Sequence, residues 1–135
     1  MFLWKRQYDV GITRIDAQHH IFLNVIGEFQ EACRQGASLD KLESILHEIA
    51  LYARYHFYSE ENIMRECGFP EINEHKNMHY QLLDDMNGRM LGMREGLSTS
   101  REVEEFLVQW FVRHTTQEDI KIGHHVRTAS HSTAE

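Results

Sequence analysis

Residues 42–67 read LESILHEIALYARYHFYSEENIMREC, and the spacing of their apolar positions decides the fold. Leu42, Ile45, Ile49, Tyr52, His56, Glu60, Ile63 and Cys67 recur every three or four residues, which is one face of an α-helix. Ser38 stands where an N-cap is expected, and Gly68, Phe69 and Pro70 stop the helix. The face is apolar, turns to His56 and Glu60, and becomes apolar again. Ligand-type side chains thus interrupt what would otherwise be a hydrophobic seam.

The same pattern extends to both sides. Upstream, Ile12, Ile15, His19, Phe22, Ile26, Phe29 and Cys33 form one helical face, with Gly36 as its C-cap. Downstream, Pro70 fits the first turn of a third helix whose inward face is Ile72, His75, His79, Leu82, Met86 and Met93. Gly88, Gly92 and Gly96 blur its far end. Thr99 with Glu102 is a capping-box signature, opening a fourth helix with Val103, Phe106, Leu107, Trp110, Phe111 and His114 on one face. Four helices, short connections and no strand-like alternation predict an all-α, antiparallel up-down-up-down four-helix bundle. Residues 1–128 are expected to form its single domain, with an N-terminal arm, and residues 129–135 a polar, frayed C-terminal tail.

Bulk properties agree with one water-facing domain. The chain has 135 residues, 41% of them hydrophobic and 26% charged, enough for a core and a polar surface. A formal net charge of -7 repels phosphate backbones and anionic lipid heads, so neither nucleic acid nor membrane is expected as a partner. Met1 to Gln7 holds no apolar run before a small-residue cleavage site, and no stretch approaches a membrane span of roughly 18 apolar residues. A cytoplasmic location is therefore expected. Cys33 and Cys67 form no Cys-x-x-Cys pair and read as small buried hydrophobes.

The chemistry lies where the seams are interrupted. One level of each helix offers His19, then His56 with Glu60, then His75 with His79, then His114 with an acidic residue beyond it. Residues four apart point the same way, so each pair can grip one centre. A lone core histidine is usually satisfied by a hydroxyl or carbonyl. Five imidazoles and two carboxylates on one core level would be costly to desolvate without a cation. The set exceeds one tetrahedral zinc, and five nitrogens disfavour calcium and magnesium, so two transition ions are implied. Ligand types alone suit iron and leave zinc, manganese or a mixed pair open. Spacing alone selects Glu118 after His114, because Asp119, five residues on, lies about 140° around an ideal helix.

From Trp4 through Asp119 the chain resembles the bacterial hemerythrins. The matching pieces are Trp4 and Tyr8 before Val10-Gly11-Ile12, Ile15-Asp16-x-Gln18-His19, His56-Phe57-x-x-Glu60-Glu61-x-x-Met64, Phe69-Pro70, His75-x-x-x-His79, and Trp110 before His114-x-x-x-x-Asp119. The resemblance implies two non-haem irons joined by an oxo or hydroxo bridge. It assigns His75, His79 and His114 to one iron, His19 and His56 to the other, and Glu60 and Asp119 to both. Choosing Asp119 over Glu118 requires the last helix to loosen just past His114. Trp110 and Phe111 are expected to wall the oxygen side. His20, Glu31, Glu61 and His47 are expected at the surface, and His124 and His125 in a polar end.

The function this implies is reversible binding of molecular oxygen for carriage, storage or sensing, not enzymatic turnover, with a separate signalling or redox protein as a docking partner. The alternatives are a di-iron enzyme acting on oxygen, peroxide or nitric oxide, and an iron-storage or structural metal-binding protein. Carboxylate-rich di-iron oxidases use paired Glu-x-x-His motifs, and this chain contains none.

Overall fold

The computed structural model describes residues 3–134, with side chains through residue 128. A short 3₁₀ turn, Arg6–Tyr8, precedes α1 (Thr13–Arg34), α2 (Leu39–Glu66), α3 (Ile72–Arg94) and α4 (Ser100–Arg113). A π-helical turn, His114–Asp119, then leads directly into α5 (Ile120–Ala134). Each of α1 to α4 packs on two neighbours, α1 on α2 and α4, α3 on α2 and α4, so the four make the sides of an antiparallel bundle. Among the described residues there is no strand, and no helix is long and apolar enough to cross a membrane. The side chains of the expected polar tail, His131 among them, lie outside the described residues.

Local chemistry sets the helix ends. The Ser38 side chain accepts a hydrogen bond from the Lys41 backbone N–H, and Thr99 and Glu102 form the full reciprocal capping box. Pro70 is not in the first turn of α3 as expected. It lies in the connecting turn, one residue before the N-cap Glu71, and α3 begins at Ile72. On α2 the buried residues are Leu42, Leu46, Ile49, Ala53, His56, Phe57, Ser59, Glu60 and Met64. Ile45, Tyr52 and Ile63, expected inside, are only half-buried, because α2 is gripped by α1 and α3 and buries an arc wider than one seam. Cys33 and Cys67 are free thiols but likewise only half-buried, packed on the edge of the core.

The core is two apolar layers with a polar layer between them. The larger contains Phe22, Ile26, Phe29, Leu46, Ile49, Phe57, Leu82 and Phe111; the smaller contains Val10, Ile15, Met64, Phe69 and Ile122. His19, His56, Glu60, His75, His79, His114 and Asp119 fall between these layers in sequence on every helix, and all seven are at most 5% exposed.

The N-terminal arm closes over one side of this stack. The backbone N–H groups of Val10 and Gly11 donate to the two carboxylate oxygens of Asp16 at 2.8 and 3.2 Å, and Gly11 takes φ +89° to make the turn. The Val10 carbonyl then rests on Gly123 so closely that a Cβ there would sit 1.9 Å from its oxygen. Gly123→Ala should therefore destabilise the protein by about 1 to 3 kcal/mol, despite alanine's better helix propensity. Urea unfolding measures this directly, and an unchanged midpoint would mean that the arm is not held there.

Candidate metal centre

Four helices each deliver part of the polar layer. His19 comes from α1, His56 and Glu60 from successive turns of α2, His75 and His79 from successive turns of α3, and His114 and Asp119 from the two ends of the π turn. That turn brings Asp119, and not Glu118, into the cluster. Its wider winding follows i→i+5 bonding, so a residue five after His114 comes back into line with it. Asp119 is 1% exposed and its Oδ1 lies 3.1 Å from His114 Nε2. Glu118 instead turns outward and pairs with Lys121 at 3.2 Å. The Thr116 hydroxyl donates to the Val112 carbonyl at 2.7 Å, an alternative partner for a backbone group where the regular ladder is broken.

The ligand atoms fall into two groups that share both carboxylates. Glu60, His75, His79, His114 and Asp119 form one; His19, His56, Glu60 and Asp119 form the other, with the ligand atoms of each group within 4.8 Å of one another. Glu60 turns Oε1 to His75 and His79, at 2.8 and 3.1 Å, and Oε2 to His56 and His19, at 3.3 and 3.9 Å. Asp119 turns Oδ1 to His75 and His114, at 3.0 and 3.1 Å, and Oδ2 to His19, at 3.0 Å. Neighbouring ligands of an octahedral ion at about 2.1 Å are spaced about 3.0 Å apart, so these separations suit donors around cations.

Hydrogen bonding supports the same fit. Glu60 Oε2, Asp119 Oδ1 and His114 Nε2 are buried and have no hydrogen-bond partner, although they face the middle of the cluster. Buried acceptors left this way are costly unless a cation takes their lone pairs. The outward nitrogens of two ligand-type imidazoles are engaged. His56 Nδ1–H donates to Gln18 Oε1 at 2.7 Å, and Gln18 is held by donating to Ser59 Oγ at 3.0 Å and by its backbone carbonyl accepting from Tyr52. His79 Nδ1–H donates to Glu61 Oε2 at 3.0 Å. Both bonds fix the tautomer that leaves Nε2 free to face inward.

Burial opposes every charge in this layer, and the charges answer one another. Burial and the nearby Asp119 would raise Glu60, but His56, His75 and His79 hold its carboxyl below the usual range. Asp119 is likewise held well down, burial being outweighed by His114, His19 and His75. Burial lowers His56. It also opposes protonation of His19 and His75, yet Asp119 and Glu60 prevail and raise both, His75 up to about 10.

Aromatic rings surround the cluster. Phe111 is edge-on to His19 at 5.7 Å between centroids and to Tyr8 at 5.6 Å, with Phe22 beside it and 6.1 Å from His56. Trp110 stacks on His114 at 5.0 Å, and Phe57 stacks on His79 at 3.9 Å. Sequence reasoning placed Trp110 and Phe111 together on one wall, whereas here Phe111 faces His19 and Trp110 faces His114. It gave no role to Phe22 and Phe57 beside the site, although both adjoin ligand-type residues at helical or adjacent spacing.

The expected surface residues divide. Glu31 pairs with Arg34, and His47 is exposed. His20 is exposed but stacked on Trp4, and His125 is half-buried with its Nε2 donating to the Cys67 carbonyl. Glu61 is the correction: its carboxylate is 18% exposed and turned inward onto His79 rather than standing free in solvent.

The sequence model of the hemerythrin HHE cation binding domain matches residues 10–123 of this chain. The chain belongs to the hemerythrin family. Among hemerythrin relatives, the bacteriohemerythrin of Clostridium acetobutylicum is 25% identical over 125 residues, covering 88% of this chain and 96% of that protein. That of Pseudomonas aeruginosa strain PAO1 is 24% identical over 133 residues, covering 98% and 84%. The crystal structure of wild-type hemerythrin superposes with a TM-score of 0.83 at 20% identity, covering 93% of this chain and 98% of that one, which speaks to the fold.

The raised His75 sets a pH dependence for the metal-free hemerythrin. A folded-state pKa above the ordinary 6.5 contributes stability that is fully present below pH 6.5 and lost as pH rises towards about 10. Unfolding free energies of the metal-stripped chain should decline across that window, and less steeply in His75→Gln. Equal slopes for the two proteins would contradict the assignment.

Proposed function

We propose that this hemerythrin holds two non-haem iron ions and uses them to bind molecular oxygen reversibly. The observation that carries the reading is the division of Glu60 and Asp119, each of which turns one oxygen to each group of imidazoles. His75, His79 and His114 would hold one ion, His19 and His56 the other, with Glu60 and Asp119 spanning both. The names of the bacteriohemerythrin relatives support the same reading. A ferrous pair held there would supply the two electrons needed for reversible uptake of oxygen.

The protein's part is to orient and to exclude. Gln18 and Glu61 hold two imidazoles with their Nε2 atoms inward. The His19 and His56 side has two imidazoles where the other has three, and so leaves more room for a small ligand. On that side Phe111, Phe22 and Tyr8 are all at most 2% exposed and form an apolar wall. Such a wall keeps out the water and protons that would otherwise promote loss of reduced oxygen species. Trp110 covers His114 on the other side.

Two experiments test the reading. Ferrous-loaded protein should change its optical spectrum on exposure to oxygen and return when oxygen is removed; a change that never reverses, or continuous consumption of oxygen, would overturn reversible binding. Metal analysis should find about two irons per chain in the parent protein and in Glu118→Ala, and a deficit in Asp119→Ala. Loss in Glu118→Ala with retention in Asp119→Ala would transfer the bridging role to Glu118.

A further inference from the structure

One imidazole in each group is oriented by a partner of different chemistry. His56, in the group with two imidazoles, donates to the neutral amide oxygen of Gln18. His79, in the group with three, donates to the carboxylate of Glu61. The geometries are close, 2.7 and 3.0 Å, so the main difference is charge. Phe57 lies against the His79 ring at 3.9 Å and nearly parallel, which leaves the ring little freedom to leave that bond. Glu61 lines a cavity of about 140 Å³ together with Arg54, Tyr58, Lys76 and Tyr80, and its side chain keeps 18% exposure.

The structure assigns Glu61 as a positioning residue that acts through His79 to favour the oxidised state of the ion in the three-imidazole group. A carboxylate accepting from Nδ1–H makes the imidazole a stronger donor at Nε2, whereas an amide does so only weakly. The more strongly donating ring stabilises the higher metal charge. The centre is thereby polarised: the ion held by His75, His79 and His114 is the easier of the two to oxidise, and the ion held by His19 and His56 the harder. This inference rests on the proposed iron pair and deepens it, since it states which half of the centre gives up an electron first.

The test uses the full iron-loaded chain and the variants Glu61→Gln, which keeps an acceptor but removes the charge, and Glu61→Asp, which restores charge at a shorter reach. Glu61→Gln should disfavour the oxidised state about tenfold, which is an upward shift of about 59 mV for one electron in a spectroelectrochemical titration. Glu61→Asp should recover part of that shift. Chelator competition should show a loss of affinity of roughly 10-fold or more for one ion of the pair in Glu61→Gln. Metal-free Glu61→Gln should still melt cooperatively, since it keeps an acceptor for the His79 Nδ1–H. A potential and an affinity equal to the parent's in Glu61→Gln would overturn the assignment. If the parent takes up no iron, the reading of the centre fails instead, and cobalt(II) affinity of the same variants still decides whether Glu61 strengthens His79: unequal affinities uphold it and equal ones overturn it.

Discussion

Two carboxylates, Glu60 and Asp119, are buried at no more than 1% exposure in the middle of a helical bundle, and everything around them follows from that cost. An isolated ionised carboxylate in such a place is prohibitive unless it is paired or neutralised. Here five imidazoles face them, and three polar atoms at the centre of the cluster have no hydrogen-bond partner. The open lone pairs of these buried ligand-type atoms suit a cationic occupant. The bundle's apolar layers then seal the site above and below, so the polar layer is where stability is given up for chemistry.

The π turn between α4 and α5 is the local expression of the same constraint. A regular helix would carry Asp119 away from His114 and bring Glu118 in, to a position where it would have to desolvate and would lose Lys121. Widening one turn exchanges the two acids. Its cost in backbone hydrogen bonding is partly offset by the Thr116 hydroxyl on the Val112 carbonyl. The arrangement of this cluster thus depends on an irregularity confined to six residues.

Much of this was legible in the sequence because the signal is periodic. Apolar steps of three and four gave the helices, and the interruption of four seams at one level gave the ligand-type residues. The capping box at Thr99 marked the start of α4. What spacing could not supply was backbone irregularity: an ideal helix pointed to Glu118, and only likeness to a known family pointed to Asp119. The breadth of the buried arc on α2 also escaped, since Leu46, Ala53 and Met64 are buried by having neighbours on two sides, a property of the assembled bundle. Glu61 was misread for a related reason. Its neighbour Glu60 points inward, so helical geometry places Glu61 off the seam, and nothing in α2 reveals that His79 reaches across from α3 to meet it.

The most direct measurement is anomalous diffraction at the iron edge from crystals of the iron-loaded protein. Two peaks are expected in the polar layer, one among His75, His79 and His114 and one beside His19 and His56, with Glu60 and Asp119 each touching both. A single peak, or iron bound only elsewhere on the chain, would contradict the account of these two carboxylates as a shared bridge.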